Sequence, residues 1–111
     1  MRLSGMPKEP KKNPNIALPA ISEKAFMVQV MAYAELRGWM VYHTYDSRRC
    51  AIGFPDLVCV RGDRILVAEL KSTKGQLSRA QGAWLAALLA AGVRSYVWRP
   101  GDFDEIVRIL S

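Results

Sequence analysis

Two periods of apolar residues divide the chain. From Glu23 to Arg37, Ala25, Val28, Ala32 and Leu36 recur at helical spacing and form one stripe. Ser22 suits the N-cap and Gly38 the stop. Trp39 to Tyr45 (WMVYHTY) is aromatic and β-branched and is expected as a strand. DSRRCAIGFP follows as a polar loop bearing Gly and Pro. Leu57 to Arg61 and Arg64 to Lys71 are the next two strands. Gly62-Asp63 between them is a two-residue hairpin turn with Gly at its first central position. After the loop STKGQL, Ser78 to Ala91 is a second helix, with Gln81, Trp84, Leu85 and Leu88 on one face. Ser78 and Gln81 have capping-box spacing, and Gly92 ends the helix. Val93 to Trp98 is a fourth strand and RPGD a turn. Asp102 to Leu110 is a short last helix, where Asp102 and Glu105 repeat the capping spacing. The order is α-β-β-β-α-β-α. Strands two and three are apolar on both faces, which predicts an α/β fold: a mixed β-sheet flanked by helices.

The first twenty residues do not join this pattern. Pro7, Pro10, Pro14 and Pro19 interrupt any regular element, and Arg2, Lys8, Lys11 and Lys12 stand against the single acid Glu9. Residues 1–20 are expected as a flexible basic tail and 21–111 as one domain. The tail is either solvated or an arm that touches phosphates. The chain has 111 residues, half of them hydrophobic, enough for one core of modest stability. The apolar run Ala83 to Ala91 is too short to span a bilayer, so no membrane partner is expected. The start, MRLSGMPKEPKK, lacks the apolar core of a secretion signal. Cys50 and Cys59 show no metal-ligand spacing, and reduced thiols in a cytoplasmic protein are expected. The net charge of +6 favours a polyanionic partner such as nucleic acid.

The hairpin poses an electrostatic problem. If Arg61 pairs with Arg64, the same register sets Asp56 opposite Glu69, on one face of the sheet. Cβ atoms so placed are about 4.5–5.5 Å apart. Like charges there repel, and burial raises the cost. Either one acid is protonated or a cation lies between them, and a hard divalent ion ligated by oxygens resolves the conflict directly. A β-bulge near Pro55 would shift this register. Lys71 lies two residues past Glu69 and so points to the same side, while Leu70 turns into the core. The Leu70 carbonyl can face the ion if the ladder ends there. Two acids, one amine and one carbonyl suit phosphodiester hydrolysis, with Lys71 orienting the water or offsetting charge on phosphorus, and either Lys71 or a second metal-bound water acting as base. The plainer alternative makes Asp56 a strand start and Glu69 with Lys71 an exposed ion pair on the sheet rim.

Pro55-Asp56 followed by Glu69-Leu70-Lys71 resembles the PD-(D/E)xK nuclease signature. SEKAFMVQVMAYAELRGW, VYHTYDSRR, GFPDLV and LVAELKSTKGQLSRAQGAWLAALLAAGVRSYVWRPGDFDEI together resemble the virus-type replication-repair nuclease (VRR-NUC) domain, in its short stand-alone phage and bacterial form, over about residues 22–111. The resemblance implies a restriction-endonuclease-like fold and divalent-metal-dependent cleavage of DNA, leaving a 5′-phosphate and a 3′-hydroxyl. It implies that Asp56 and Glu69 hold Mg²⁺ or Mn²⁺ with the Leu70 carbonyl, and that Lys71 is catalytic. Glu23 matches the family's acid at the start of the first helix, where it would reach the metal directly or through water; an acid there also complements the helix dipole. Gln81 matches the family's glutamine at the start of the second main helix and would support Lys71 or a phosphate. The resemblance extends to His43, and two arginines in a polar loop, Arg48 and Arg49, suit phosphate contacts; all three are substrate-binding candidates, with Lys74 a further one.

The family implies branched substrates such as four-way junctions or flaps. Symmetrical cutting of a junction would need two sites, hence a homodimer. A bacterial or phage-infected cell is the expected setting. From another class comes the alternative of a non-catalytic DNA-binding module that keeps the fold. A sequence-specific restriction enzyme is a further option, against which stands the lack of room for a base-reading element.

Overall fold

The computed structural model describes residues 21–45 and 51–111, so the expected basic tail lies outside the described residues. Its elements are α1 (Glu23–Leu36), β1 (Met40–His43), β2 (Leu57–Arg61), β3 (Arg64–Leu70), α2 (Arg79–Ala90), β4 (Arg94–Trp98), a 3-10 turn (Pro100–Asp102) and α3 (Phe103–Leu110). The four strands form one sheet in the order β1-β2-β3-β4. The β1–β2 and β2–β3 pairs are antiparallel and β3–β4 is parallel, giving the mixed sheet that the pattern predicts.

The hairpin keeps its register without a bulge through the ladder. Arg61 pairs with Arg64, and the pairing runs unbroken to Leu57 with Ala68. Gly62 takes φ +62°, which the tight turn requires. On one face, Leu57, Cys59, Leu66, Ala68, Leu70 and Trp98 pack against Phe26, Val30 and Ala34 of α1 and Ile106 and Leu110 of α3. Burial pushes the Cys59 thiol up to about 11, so it stays a neutral core group.

The face of α1 differs from expectation. The stripe Ala25, Val28, Ala32 and Leu36 is exposed, with Val28 59% and Leu36 78% accessible. Phe26, Val30 and Ala34 are the buried row. Apolar residues surround this helix, so periodicity alone does not select a face. Phe26, the largest of them, offers more area to bury than the alanine-rich stripe.

Two further expectations are corrected. Burial on both faces holds for β3, buried from Leu66 to Leu70, but not for β2, where Val58 and Val60 are half-buried. The reason is that α2 packs on the β4 side of the second face. Met40, Tyr42, Val58, Val60 and Ile65 form an apolar strip beyond its reach. The Asp102 side chain does not cap α3 either. Its Oδ2 instead accepts from the Arg99 N–H at 2.8 Å, because the intervening 3-10 turn points it backwards.

At the turn end of the hairpin, Trp39 donates Nε1–H to the Leu110 carbonyl at 2.8 Å. The Arg61 and Arg64 guanidiniums lie 4.6 and 5.1 Å from the Trp39 ring centroid. They also donate to the carbonyls of Ile109, Leu110 and Ser111, which the end of α3 leaves without helical partners.

Candidate active site

At the other end of the hairpin the two acids meet. Asp56 stands one step beyond the last ladder pair, at the register position facing Glu69. The Thr44 N–H donates to the Asp56 carbonyl at 2.8 Å, and the Thr44 hydroxyl to the Pro55 carbonyl at 2.9 Å. Thr44, directly after the edge strand β1, thus fixes the Pro-Asp pair from one side. From the other, the Leu70 N–H donates to Asp56 Oδ2 at 2.8 Å, which orients the carboxylate toward β3. In a strand, the N–H and C=O of one residue point the same way, so the Leu70 carbonyl also faces Asp56. The Lys71 N–H turns the opposite way, to the Trp98 carbonyl at 2.9 Å.

Glu69 is only 2% exposed, and its Oε1 has no hydrogen-bond partner among the described residues. Its Oε2 lies 3.7 Å from Lys71 Nζ. Burial, then the charge of Asp56, push the Glu69 carboxyl up to about 7, against the opposing pull of Lys71. A native structure rarely leaves a buried carboxylate oxygen orphaned without a reason. Here a cation would remove both the orphan and the repulsion, so the residues present fit a divalent ion.

The raised pKa carries a prediction. Without metal, the folded state holds the Glu69 proton to about pH 7, whereas the unfolded chain releases it near 4.5. The folded state therefore binds more protons between these values, and stability falls as pH rises through that window. Urea denaturation in chelator from pH 4.5 to 7.5 should show this decline. The decline should shrink when a divalent ion is added near neutral pH, because the ion stabilises the ionised form.

The remaining candidates are placed unevenly. Lys71 joins the acids, with its side chain 12% exposed. Gln81 lies in the first turn of α2, where its Oε1 accepts from the Ser78 N–H at 2.8 Å and its N–H donates to Ser78 Oγ at 3.1 Å. That turn abuts the loop entering Asp56: a Cβ on Gly53 would stand 2.6 Å from the Ala80 carbonyl carbon. Glu23 is exposed in the first turn of α1. Among the described residues no third Asp, Glu, His or Cys side chain groups with the two acids to hold an ion. His43 pairs with Leu57, so alternation places it on the sheet face opposite Glu69, and its ring lies 4.6 Å from that of Tyr45. Lys74 is exposed in the turn after β3. Arg48 and Arg49 lie outside the described residues.

Three residues that shape the site carry no motif. Thr44 holds the Pro-Asp pair through its carbonyls, and Gly53 lets the loop before that pair close on α2. Arg99, in a segment that reads only as a turn, donates from Nη1 to the carbonyls of Ser72 and Gly75 at 2.8 and 2.6 Å. All three act through backbone atoms, for which a linear pattern holds no signal.

Comparison with known proteins bears on the family and the fold. The family model described as the VRR-NUC domain matches residues 6–100, and so begins inside the segment read as a tail. A solved chain described as a "VRR_NUC domain protein" superimposes with a TM-score of 0.66 at 18% sequence identity, covering 83% of this chain and 87% of that one. No curated protein gave a significant match. With the family model spanning most of its length, the chain belongs to the VRR-NUC domain family, PD-(D/E)xK nucleases that act on DNA and typically need a divalent metal.

Proposed function

We propose that this protein is a metal-dependent DNA endonuclease that hydrolyses phosphodiester bonds, selective for branched or junction DNA. The observation that carries the reading is the buried Glu69 carboxylate, with one oxygen unpartnered among the described residues, facing Asp56 and 3.7 Å from the Lys71 amine. Asp56, Glu69 and the Leu70 carbonyl would hold Mg²⁺ or Mn²⁺. When bound, the ion supplies charge to polarise the scissile phosphate and to lower the pKa of a water.

The protein's own groups do the rest. The Leu70 N–H holds the Asp56 carboxylate in one orientation, so little reorganisation is needed at reaction. Lys71 sits beside that centre to orient the attacking water and to offset the negative charge that grows on phosphorus. Gln81, with its carbonyl oxygen engaged by the cap, keeps its amide N–H₂ to donate to a phosphate oxygen or to the water. Lys74 provides a phosphate contact at the rim, and His43, Arg48 and Arg49 complete the DNA-binding set. Glu23 adds its charge outside this group. A homodimer would supply the two sites that symmetrical cutting of a junction requires. No helix among the described residues is long and apolar enough to cross a membrane. A cytoplasmic setting, in a bacterium or a phage-infected cell, is part of the same proposal.

Cleavage of junction, flap, linear and single-stranded DNA, with and without Mg²⁺ or Mn²⁺, tests this reading. The expected result is metal-dependent cutting of branched DNA, reduced on the order of 10²-fold or more in Lys71→Ala with DNA affinity retained. Binding without cleavage under either metal would sink the enzyme and favour a DNA-binding module. Sedimentation with and without junction DNA reports the dimer.

A further inference from the structure

Lys71 is the last residue fixed by the sheet before the chain leaves β3. Its N–H is held by the Trp98 carbonyl, its amine lies 3.7 Å from Glu69, and the chain then enters the turn at residues 72–75. There the chain reverses at once: the Gly75 N–H donates to the Ser72 carbonyl at 3.2 Å, with Lys74 exposed within the turn. Gly75 closes against the Lys71 stem. A Cβ there would stand 3.0 Å from Ser72 Oγ and 3.4 Å from Lys71 Cδ.

Arg99 holds this turn shut. It follows Trp98, and its Nη1 donates to the carbonyls of both Ser72 and Gly75, the first and last residues of the turn. Arg99 is itself fixed: its N–H donates to Asp102 Oδ2 and its carbonyl accepts from the Asp102 N–H, both at 2.8 Å. Charge-assisted bonds from a guanidinium to carbonyls are among the stronger hydrogen bonds. Asp102, Arg99, the 72–75 turn and Lys71 form one chain of contacts ending at Glu69.

We infer that Arg99 is a positioning residue for this site: by clasping the 72–75 turn it keeps the Lys71 amine against Glu69 and Lys74 at the rim. The inference rests on the nuclease reading. It assigns Arg99 no contact with DNA, which separates it from the phosphate-binding candidates.

The test uses the full chain as wild type, Arg99→Ala, Arg99→Lys and Lys71→Ala, together with the Arg99→Ala/Lys71→Ala double variant. In Arg99→Ala, kcat should fall on the order of tenfold or more with KM essentially unchanged, because misplacement rather than lost binding is the fault. Arg99→Lys, which keeps one charged donor, should recover part of the loss. In the double variant, Arg99→Ala should add almost nothing to Lys71→Ala, since both act on one group. Amide exchange of Gly75 should accelerate on the order of tenfold in Arg99→Ala, while the β2–β3 strand amides keep their protection. An active wild type with unchanged kcat in Arg99→Ala would overturn the inference alone. So would a loss confined to KM with a shallower salt dependence, which marks a direct phosphate contact. Unchanged Gly75 exchange would overturn it whether or not the protein cuts DNA. A wild type that cuts no substrate would overturn the nuclease reading first.

Discussion

Glu69→Gln is expected to abolish metal-dependent cleavage while stabilising the metal-free protein. The two effects share one cause. Glu69 is buried beside another acid, and ionising it costs the fold free energy that raises its pKa to about 7. Gln keeps the shape and removes the charge. At pH 8 in chelator the variant should therefore be more stable than wild type by roughly 3 kcal/mol, the differential energy that such a pKa shift represents. At pH 3.5, below the value of the unfolded chain, Glu69 is protonated in both states and the difference should nearly vanish. With metal present the order reverses for activity. A neutral amide is a poorer ligand than a carboxylate for a hard cation, so if Glu69 holds the ion as proposed, cleavage is lost with it. Urea titrations at both pH values and a cleavage assay on one protein preparation measure all three quantities. A variant less stable than wild type in chelator at pH 8 would show that the carboxylate is not strained in the fold. This is the trade between stability and activity expected where a site holds charge against its surroundings.

Gly53→Ala should be the most damaging change outside the acids themselves. Gly53 has φ +87°, and a Cβ there would lie 2.6 Å from the carbonyl carbon and 2.8 Å from the carbonyl oxygen of Ala80. Both are backbone atoms in the capped first turn of α2, so no side chain can swing aside. Strain of about 1–3 kcal/mol from the backbone conformation adds to a similar overpacking cost. To relieve it, the loop must move, and Asp56 lies three residues on. Denaturation should show a loss of about 2–4 kcal/mol, and cleavage should fall with it even at temperatures where the variant is folded. Gly62→Ala is the control. Its φ is +62° but nothing lies within 4 Å of the added carbon, so only about 1 kcal/mol of conformational cost is expected, with cleavage retained.

The parts of this site legible in sequence are those set by local rules. A two-residue turn with a leading glycine fixes which residues pair, and pairing fixes that Asp56 faces Glu69; the ladder from Arg61–Arg64 to Leu57–Ala68 obeys that rule without interruption. Ser78 and Gln81 form their capping box because it needs only four residues of helix. Where the outcome depends on competition between elements, the linear pattern fails. Residues apolar all round α1 left its buried face to be chosen by Phe26. The cover over β2 depended on where α2 comes to rest, and the Asp102 carboxylate went to Arg99 rather than to Glu105. Gly53 and Arg99 are unreadable for a further reason. Their roles are defined by carbonyl groups of residues far along the chain, and every residue type has the same carbonyl.

The tight bend at Gly62 and Asp63 is far from any chemistry, yet it works as a gauge. It starts the count from which both arms of the hairpin are measured, and the acids meet because the arms are of equal length. One residue inserted in either arm, if the bend held its place, would carry one acid to the reverse side of the sheet and could leave the fold recognisable. If the acids hold an ion as proposed, that capacity is encoded as a distance along the chain as much as in the identity of the residues.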